Sequence, residues 1–282
     1  MKIFSRTFVS AVTMIICFAA PTMARAQATA PAQEQPSEET WNSIKDDIFK
    51  GRPVLDGSSL VTLEAPRRAE DAAIVPIGMS VVLPAGDSRT LQSLTLVIDE
   101  NPAPVAGTFT IGPHSGVTWI STRIRVNTYS YVRAVAELSD GQLYGVKAYV
   151  KASGGCSAPV SANADAAKLT LGQMKFRTFP PAASAAPDAL PEAQIMLRHP
   201  QNSGLQLDQL TRLYIPPFFI ETLQIWQGDE PVVALDGGIA ISQDPNIRFN
   251  YRPNGAANFR VEAKDTSKNV FKGEWPVAKS ML

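Results

Sequence analysis

The sequence predicts an all-β protein: two immunoglobulin-like β-sandwich domains with one short N-terminal helix. Three observations lead there. From about residue 59, short runs of alternating apolar and polar residues recur, punctuated by Gly, Pro, Asp and Asn, which is the signature of strands and tight turns. About seven such runs fit into roughly a hundred residues, twice over, as in a sandwich of immunoglobulin type. The two halves also echo each other. Residues 94–111 read strand, Asp-Glu-Asn-Pro turn, strand, and residues 223–241 read strand, Gly-Asp-Glu-Pro turn, strand. Each half then closes on a hairpin, 132–150 in the first and 259–277 in the second.

The elements follow in order. Met1-Lys2 and Arg6 make a basic start, Phe8 to Ala20 is apolar, and Ala24-Arg25-Ala26 fits a small-x-small cleavage site. Residues 1–26 therefore read as a signal peptide, and the expected location is the periplasm. The apolar run is short for a transmembrane helix, and no other stretch is long and apolar enough to span a bilayer. Residues 27–36, rich in Ala, Gln and Pro, read as a disordered leader. A helix is expected next, with Ser37 as its cap, Trp41, Ile44 and Ile48 on one face, and Gly51-Arg52-Pro53 as its stop.

The first domain, 37–151, holds candidate strands at 60–64, 77–83, 91–98, 107–111, 118–126, 131–138 and 143–150. Residues 152–171, dominated by small residues, read as a flexible linker. The second domain, 172–282, holds candidate strands at 173–179, 193–198, 219–227, 232–241, 246–251, 258–265 and 270–276. The two sandwiches are expected to be separate and to meet near the linker. The apolar stretch 213–220 reads equally as a core strand or as a loop covering a neighbouring domain.

Composition excludes several functions. Cleavage removes Lys2, Arg6 and Arg25 from 26 basic residues and nothing from 26 acidic ones. The mature chain is mildly acidic and has no basic block, which argues against nucleic acid. The only histidines are His114 and His199, and no HExxH, CxxC or CxxCH occurs, so no metal site or c-type haem is expected. No G-x-S-x-G, Walker A or G-x-G-x-x-G is present either. No cofactor and no catalytic residue are assigned, and the chain does not read as an enzyme. The four tryptophans lie on periodic apolar segments, where packing is the default. His199, before Pro200, reads as a hydrogen-bonding or interface residue.

One residue carries chemistry. Cys17 leaves with the signal peptide, and Cys156 remains as the single cysteine. An odd cysteine in an exported chain fits a carrier thiol, an intermolecular disulfide or an incidental linker residue. Gly154, Gly155 and Ser157 flank it with little bulk and read as a flexible arm. The expectation is an exposed thiol of ordinary acidity that reacts without denaturation. The six residues from Val150 to Cys156 give it a reach on the order of 20 Å, on a loop that must return through residues 160–168.

At this point the sequence resembles a known family. Asn101-Pro102-Ala103-Pro104-Val105-Ala106-Gly107-Thr108-Phe109, Ser121-Thr122-Arg123-Ile124-Arg125, the run 132–141 and Gly154-Gly155-Cys156 resemble SoxY, the sulfur-carrying subunit of the bacterial thiosulfate-oxidising system. The second half, from Gly172 through Leu197-Arg198-His199-Pro200, Tyr214-Ile215-Pro216 and Asp244-Pro245-Asn246, resembles its partner SoxZ. The combination is most similar to fused SoxYZ-like carriers associated with quinoprotein dehydrogenases. The resemblance implies sulfur-oxidation carrier function, with Cys156 as the covalent attachment point. It implies partners among periplasmic redox enzymes, including a quinoprotein dehydrogenase or a c-type cytochrome. It leaves one alternative: a non-catalytic accessory or assembly protein for a secreted quinoprotein dehydrogenase. The family pattern is Gly-Gly-Cys-Gly-Gly at a free C-terminus, whereas here Ser157-Ala158-Pro159 follow and the chain continues.

Overall fold

Fifteen strands form two sheets in the computed structural model, which describes residues 37–159, 169–181, 184, 186 and 188–277. The nine-stranded sheet runs, from edge to edge, β1 (Val54–Asp56), β8 (Leu143–Val150), β7 (Ser130–Leu138), β4 (Leu91–Ile98), β5 (Val105–Ile111), β12 (Glu230–Gly237), β11 (Ile220–Gln227), β14 (Asn258–Asp265) and β15 (Val270–Pro276). The six-stranded sheet runs β2 (Val61–Glu64), β3 (Val75–Val81), β6 (Trp119–Ile124), β13 (Asn246–Asn250), β10 (Glu192–Leu197) and β9 (Met174–Phe179). The all-β class with one short helix is as the alternating pattern predicts. The expected signal peptide, 1–26, and expected leader, 27–36, lie outside the described residues.

The expected separation of two sandwiches is corrected. Both sheets cross from one half of the chain to the other. β5 pairs antiparallel with β12, setting Phe109 beside Leu235 and Gly107 beside Gly237. β6 pairs with β13, setting Ile120 beside Phe249. The order is mirrored about this seam: an outer hairpin, β7–β8 or β14–β15, then an inner hairpin, β4–β5 or β11–β12. The internal echo of the sequence is thus an approximate two-fold relation between halves, which join as a self-complementary pair would. Glycine makes the seam close. A Cβ on Gly112 would lie 1.8 Å from the Pro231 carbonyl oxygen, so only glycine lets the two backbones approach.

Between the sheets lies one continuous core. Met79, Leu94, Leu96, Phe109 and Ile120 of the first half and Ile195, Leu223, Phe249 and Phe259 of the second all belong to it. Each such side chain gains about 1.5–3 kcal/mol on burial, so neither half has a core that ends at the seam. Sequence periodicity shows which residues point inward, but it does not show that two sandwiches share their edges.

The helix α1 (Glu39–Phe49) packs on the nine-stranded sheet through Trp41 and Phe49, against Val97, Val135 and Leu143. The Ser37 hydroxyl accepts the Glu39 N–H at 3.0 Å, and Lys50 and Gly51 end the helix with left-handed backbone. Arg133 clamps the contact. Its guanidinium donates to both oxygens of the buried Asp99 and to Glu38, and stacks over the Trp41 ring at 4.3 Å. Strand β1, parallel to β8, is the element that sequence reading missed. Three residues after a proline carry too little alternation to be recognised.

Candidate functional site

Cys156 lies where the first half hands over to the second. Beyond β8, Lys151 bridges to the segment 67–69 through its N–H and carbonyl. The chain then turns inward across the end of β6. The Gly154 N–H donates to the Asn127 carbonyl at 2.8 Å, and the Gly155 N–H donates to the Val126 carbonyl at 3.0 Å. Asn101, from the turn between β4 and β5, fixes that receiving strand end. Its side chain donates to the Arg125 carbonyl and accepts from the Asn127 N–H, both at 2.8 Å. Cys156 itself is fully buried.

The glycines therefore do the opposite of what was expected of them. Gly154 adopts a left-handed φ of +82°. A Cβ on Gly155 would stand 2.1 Å from the Ala72 carbonyl oxygen and 2.7 Å from that of Val126. Small size here serves close docking rather than motion. The flexible arm of Gly154, Gly155 and Ser157 is corrected to a docked turn, closed by the Ser157 hydroxyl donating to the Gly154 carbonyl at 3.3 Å. The exposed thiol of ordinary acidity is corrected as well. Burial pushes the Cys156 thiol up to about 11, against the opposing pull of the Arg125 cation. At neutral pH the docked sulfur is a protonated thiol. Residues 160–168 lie outside the described residues, so the return path of the loop does too.

Arg125 is the charged neighbour. It is 2 % exposed, although strand alternation would place it outward with Ser121 and Arg123. The alternation stops at Ile124, where β6 ends and the chain passes beneath the docked turn. One arm of the guanidinium donates to the Gly155 carbonyl at 3.1 Å and the other to the Gln201 carbonyl at 3.3 Å. Its Nε has no partner. Asp71 attracts it at longer range, but no carboxylate pairs with it among the described residues.

The second half supplies the cover. The Ser203 hydroxyl donates to the Cys156 carbonyl in a short bond. The Gln206 side-chain oxygen receives the Ser203 N–H at 2.8 Å, and that of Gln201 receives the Ile220 N–H at 2.7 Å. His199 is buried in the same layer, ring against Phe218 at 4.5 Å. Its Nδ1 accepts the Gln201 N–H, which places the ring proton on Nε2, 3.6 Å from Asp265. Burial holds its pKa below the usual histidine value. His199 is thus a buried, hydrogen-bonded residue of the second half, packed among Gln201, Phe218 and Asp265, and a hydrogen-bonding role is one the sequence suggested. Of the stretch 213–220, only Ile220 is buried. Leu213 and Tyr214 are exposed on a loop with Leu210.

Sequence reading did not assign Arg125, Gln201, Ser203 or Gln206. The signal available was the polar run 198–204 beside an otherwise apolar domain, which gave no indication of what it faced. Two open grooves line the solvent face of the six-stranded sheet around Arg123 and Asn246, and Cys156 borders neither. Among the described residues no helix is long and apolar enough to cross a membrane, and no group of His, Cys, Asp and Glu could hold a metal.

The family profile "Sulfur oxidation protein SoxY" matches residues 45–156, and "Sulphur oxidation protein SoxZ" matches residues 178–276. No curated protein matches the chain. Among solved structures, the sulfur carrier protein SoxY from Chlorobium limicola f thiosulfatophilum is similar at 21% identity and a TM-score of 0.34, covering 40% of this chain and 92% of that one. Superoxide reductase (neelaredoxin) from Ignicoccus hospitalis is similar at 14% identity and a TM-score of 0.29, covering 37% and 90%. A putative superoxide reductase from Thermotoga maritima follows at 15% and 0.28, covering 37% and 89%. The SoxY match ends on Cys156, and the SoxZ match begins beyond the connecting segment. The chain is a fused SoxYZ-type protein of sulfur oxidation, with one SoxY domain and one SoxZ domain in a single polypeptide.

Proposed function

We propose that this protein is a periplasmic, non-catalytic carrier that holds a sulfur-containing intermediate covalently on Cys156 while redox partners act on it. The observation that carries the reading is the end of the SoxY match on Cys156 itself. The one cysteine beyond the expected signal peptide thus stands at the last matched position of the SoxY profile. The docked geometry supports it in a second way. Of the bonds that hold Cys156 in place, those to Asn127, Val126, Arg125 and Ser203 all run through main-chain groups of residues 154–156. Detaching the turn therefore breaks main-chain bonds of residues 154–156 and withdraws the buried Cys156 side chain, but breaks no polar side-chain bond of those residues.

Docking separates a sheltered state from a reactive one. A thiol held at about 11 carries on the order of a hundred-fold less thiolate at neutral pH than a cysteine at the ordinary 9.0. Undocking restores both access and acidity. Attachment then joins the thiolate sulfur to the sulfur of a donor such as thiosulfate. One S–S bond forms, the thiol proton passes to solvent, and two electrons pass to the redox partner. Substitution Cys156→Ser in the native host tests the reading. Loss of sulfur-compound oxidation with normal protein levels is expected. Full activity of the Ser variant would overturn it and favour an assembly role.

A further inference from the structure

Three side-chain donors around the docked cysteine have nothing to donate to. Arg125 Nε, Gln201 Nε2 and Gln206 Nε2 are each buried and unpaired. Their parent residues are 2 %, 0 % and 0 % exposed. They meet the turn that carries the sulfur by different routes: Arg125 directly, Gln206 through Ser203 and Gln201 through Arg125. Arg125 donates to the Gly155 carbonyl and to the Gln201 carbonyl. Gln206 holds Ser203, which donates to the Cys156 carbonyl. A buried guanidinium with only carbonyl partners is costly, because its charge is neither solvated nor neutralised. Orphaned buried donors are costly for the same reason. The bare thiol beside them supplies no negative charge. An anionic group next to Cys156 would match the cation and give these donors an acceptor.

We infer that Arg125, Gln201 and Gln206 form a built-in receptor for the charged end of an anionic adduct on Cys156, so that the loaded turn docks more firmly than the empty one. This rests on Cys156 being the attachment point. The ligand class is a small sulfur oxyanion or sulfide terminus. A neutral adduct of similar size leaves the same donors unpaired. In the loaded state the charge is matched and the adduct is withdrawn from water. In the empty state Arg125 holds the turn through the Gly155 carbonyl alone.

Two synthetic adducts on the full mature chain test this. Tetrathionate reacts with the thiolate to give Cys156–S–SSO3⁻ and releases thiosulfate. Methyl methanethiosulfonate gives the neutral Cys156–S–SCH3 and releases methanesulfinate. Intact mass confirms one adduct in each sample before melting. The anionic adduct should melt at least about 4 °C above the neutral one, as expected for one or two charge-assisted hydrogen bonds in a chain of this size. The variant Gln206→Glu keeps the acceptor for the Ser203 N–H and replaces the free donor with a negative charge. In it the difference should vanish or reverse. An anionic adduct that melts no higher than the neutral one in the wild type would overturn the inference, whether or not the variant folds. The carrier reading would survive that result, since it is tested separately by Cys156→Ser.

Discussion

Gly155→Ala is the sharpest single change the docked turn allows. The added methyl would stand 2.1 Å from the Ala72 carbonyl oxygen and 2.7 Å from that of Val126. Both are main-chain atoms. Ala72 accepts the Val126 N–H at 2.8 Å, and Val126 accepts the Gly155 N–H, so neither can yield without breaking a hydrogen bond. Overpacking of this kind costs about 1–3 kcal/mol. The turn can escape the clash by undocking, so the cost falls on the docked state and not on the sandwich core. Converted at tenfold per 1.4 kcal/mol, the undocked population should rise roughly 5- to 150-fold. The assay is the rate at which native protein reacts with an excess of a thiol reagent at neutral pH, where Cys156 is the only target after signal cleavage. Wild-type protein should react slowly and Gly155→Ala faster by that factor, with little change in the melting of the sheets. Gly154→Ala is the internal scale. Its methyl meets open space, but its φ of +82° strains any other residue by about 1–2 kcal/mol, so it should fall between. Equal rates in wild type and Gly155→Ala, both folded, would refute the docked turn.

Three further outcomes follow from the same structure. The folded thiol titrates near 11 against an ordinary 9.0, so its protonated form stabilises the fold fully below pH 9 and that stability is lost as pH rises toward 11. Wild-type melting should therefore fall more steeply than that of Cys156→Ala over this window, and parallel curves would contradict it. Removing Arg133 leaves Asp99, 2 % exposed, as a buried unpaired charge. Arg133→Met should lower stability to urea by about 3–5 kcal/mol, whereas a loss under about 1 kcal/mol would show that the clamp is not essential. A protease cut placed within 160–168 should leave two fragments that co-elute in gel filtration, because β5–β12 and β6–β13 join the halves. Fragments that separate without denaturant would show the halves to be independent.

Much of the fold was legible because alternation reports burial. The hairpin β4–β5 and its counterpart β11–β12 were visible from apolar alternation and turn residues, but their resemblance was read as two separate sandwiches and not as a shared seam. What alternation cannot report is which edges meet. The glycines at the seam, Gly107, Gly112 and Gly237, look like ordinary strand punctuation until the partner backbone is seen. The same ambiguity misled the reading of Gly154 and Gly155. Two adjacent glycines indicate either freedom or close approach, and only the Ala72 and Val126 carbonyls decide between them. Arg125 was hidden because it follows Ile124 at the point where strand periodicity ends. Its burial depends on Gly155 from one segment and Gln201 from another, which no local pattern links.

The central claim is that Cys156 carries sulfur. Intact mass and peptide mapping of the protein, purified without reductant from its native host during growth on a reduced sulfur compound, tests it most directly. The account predicts a sulfur-containing mass increment that maps to the Cys156 peptide and disappears on reduction. A population that carries only the free thiol at Cys156 under those conditions, or a modification confined to another residue, would contradict it.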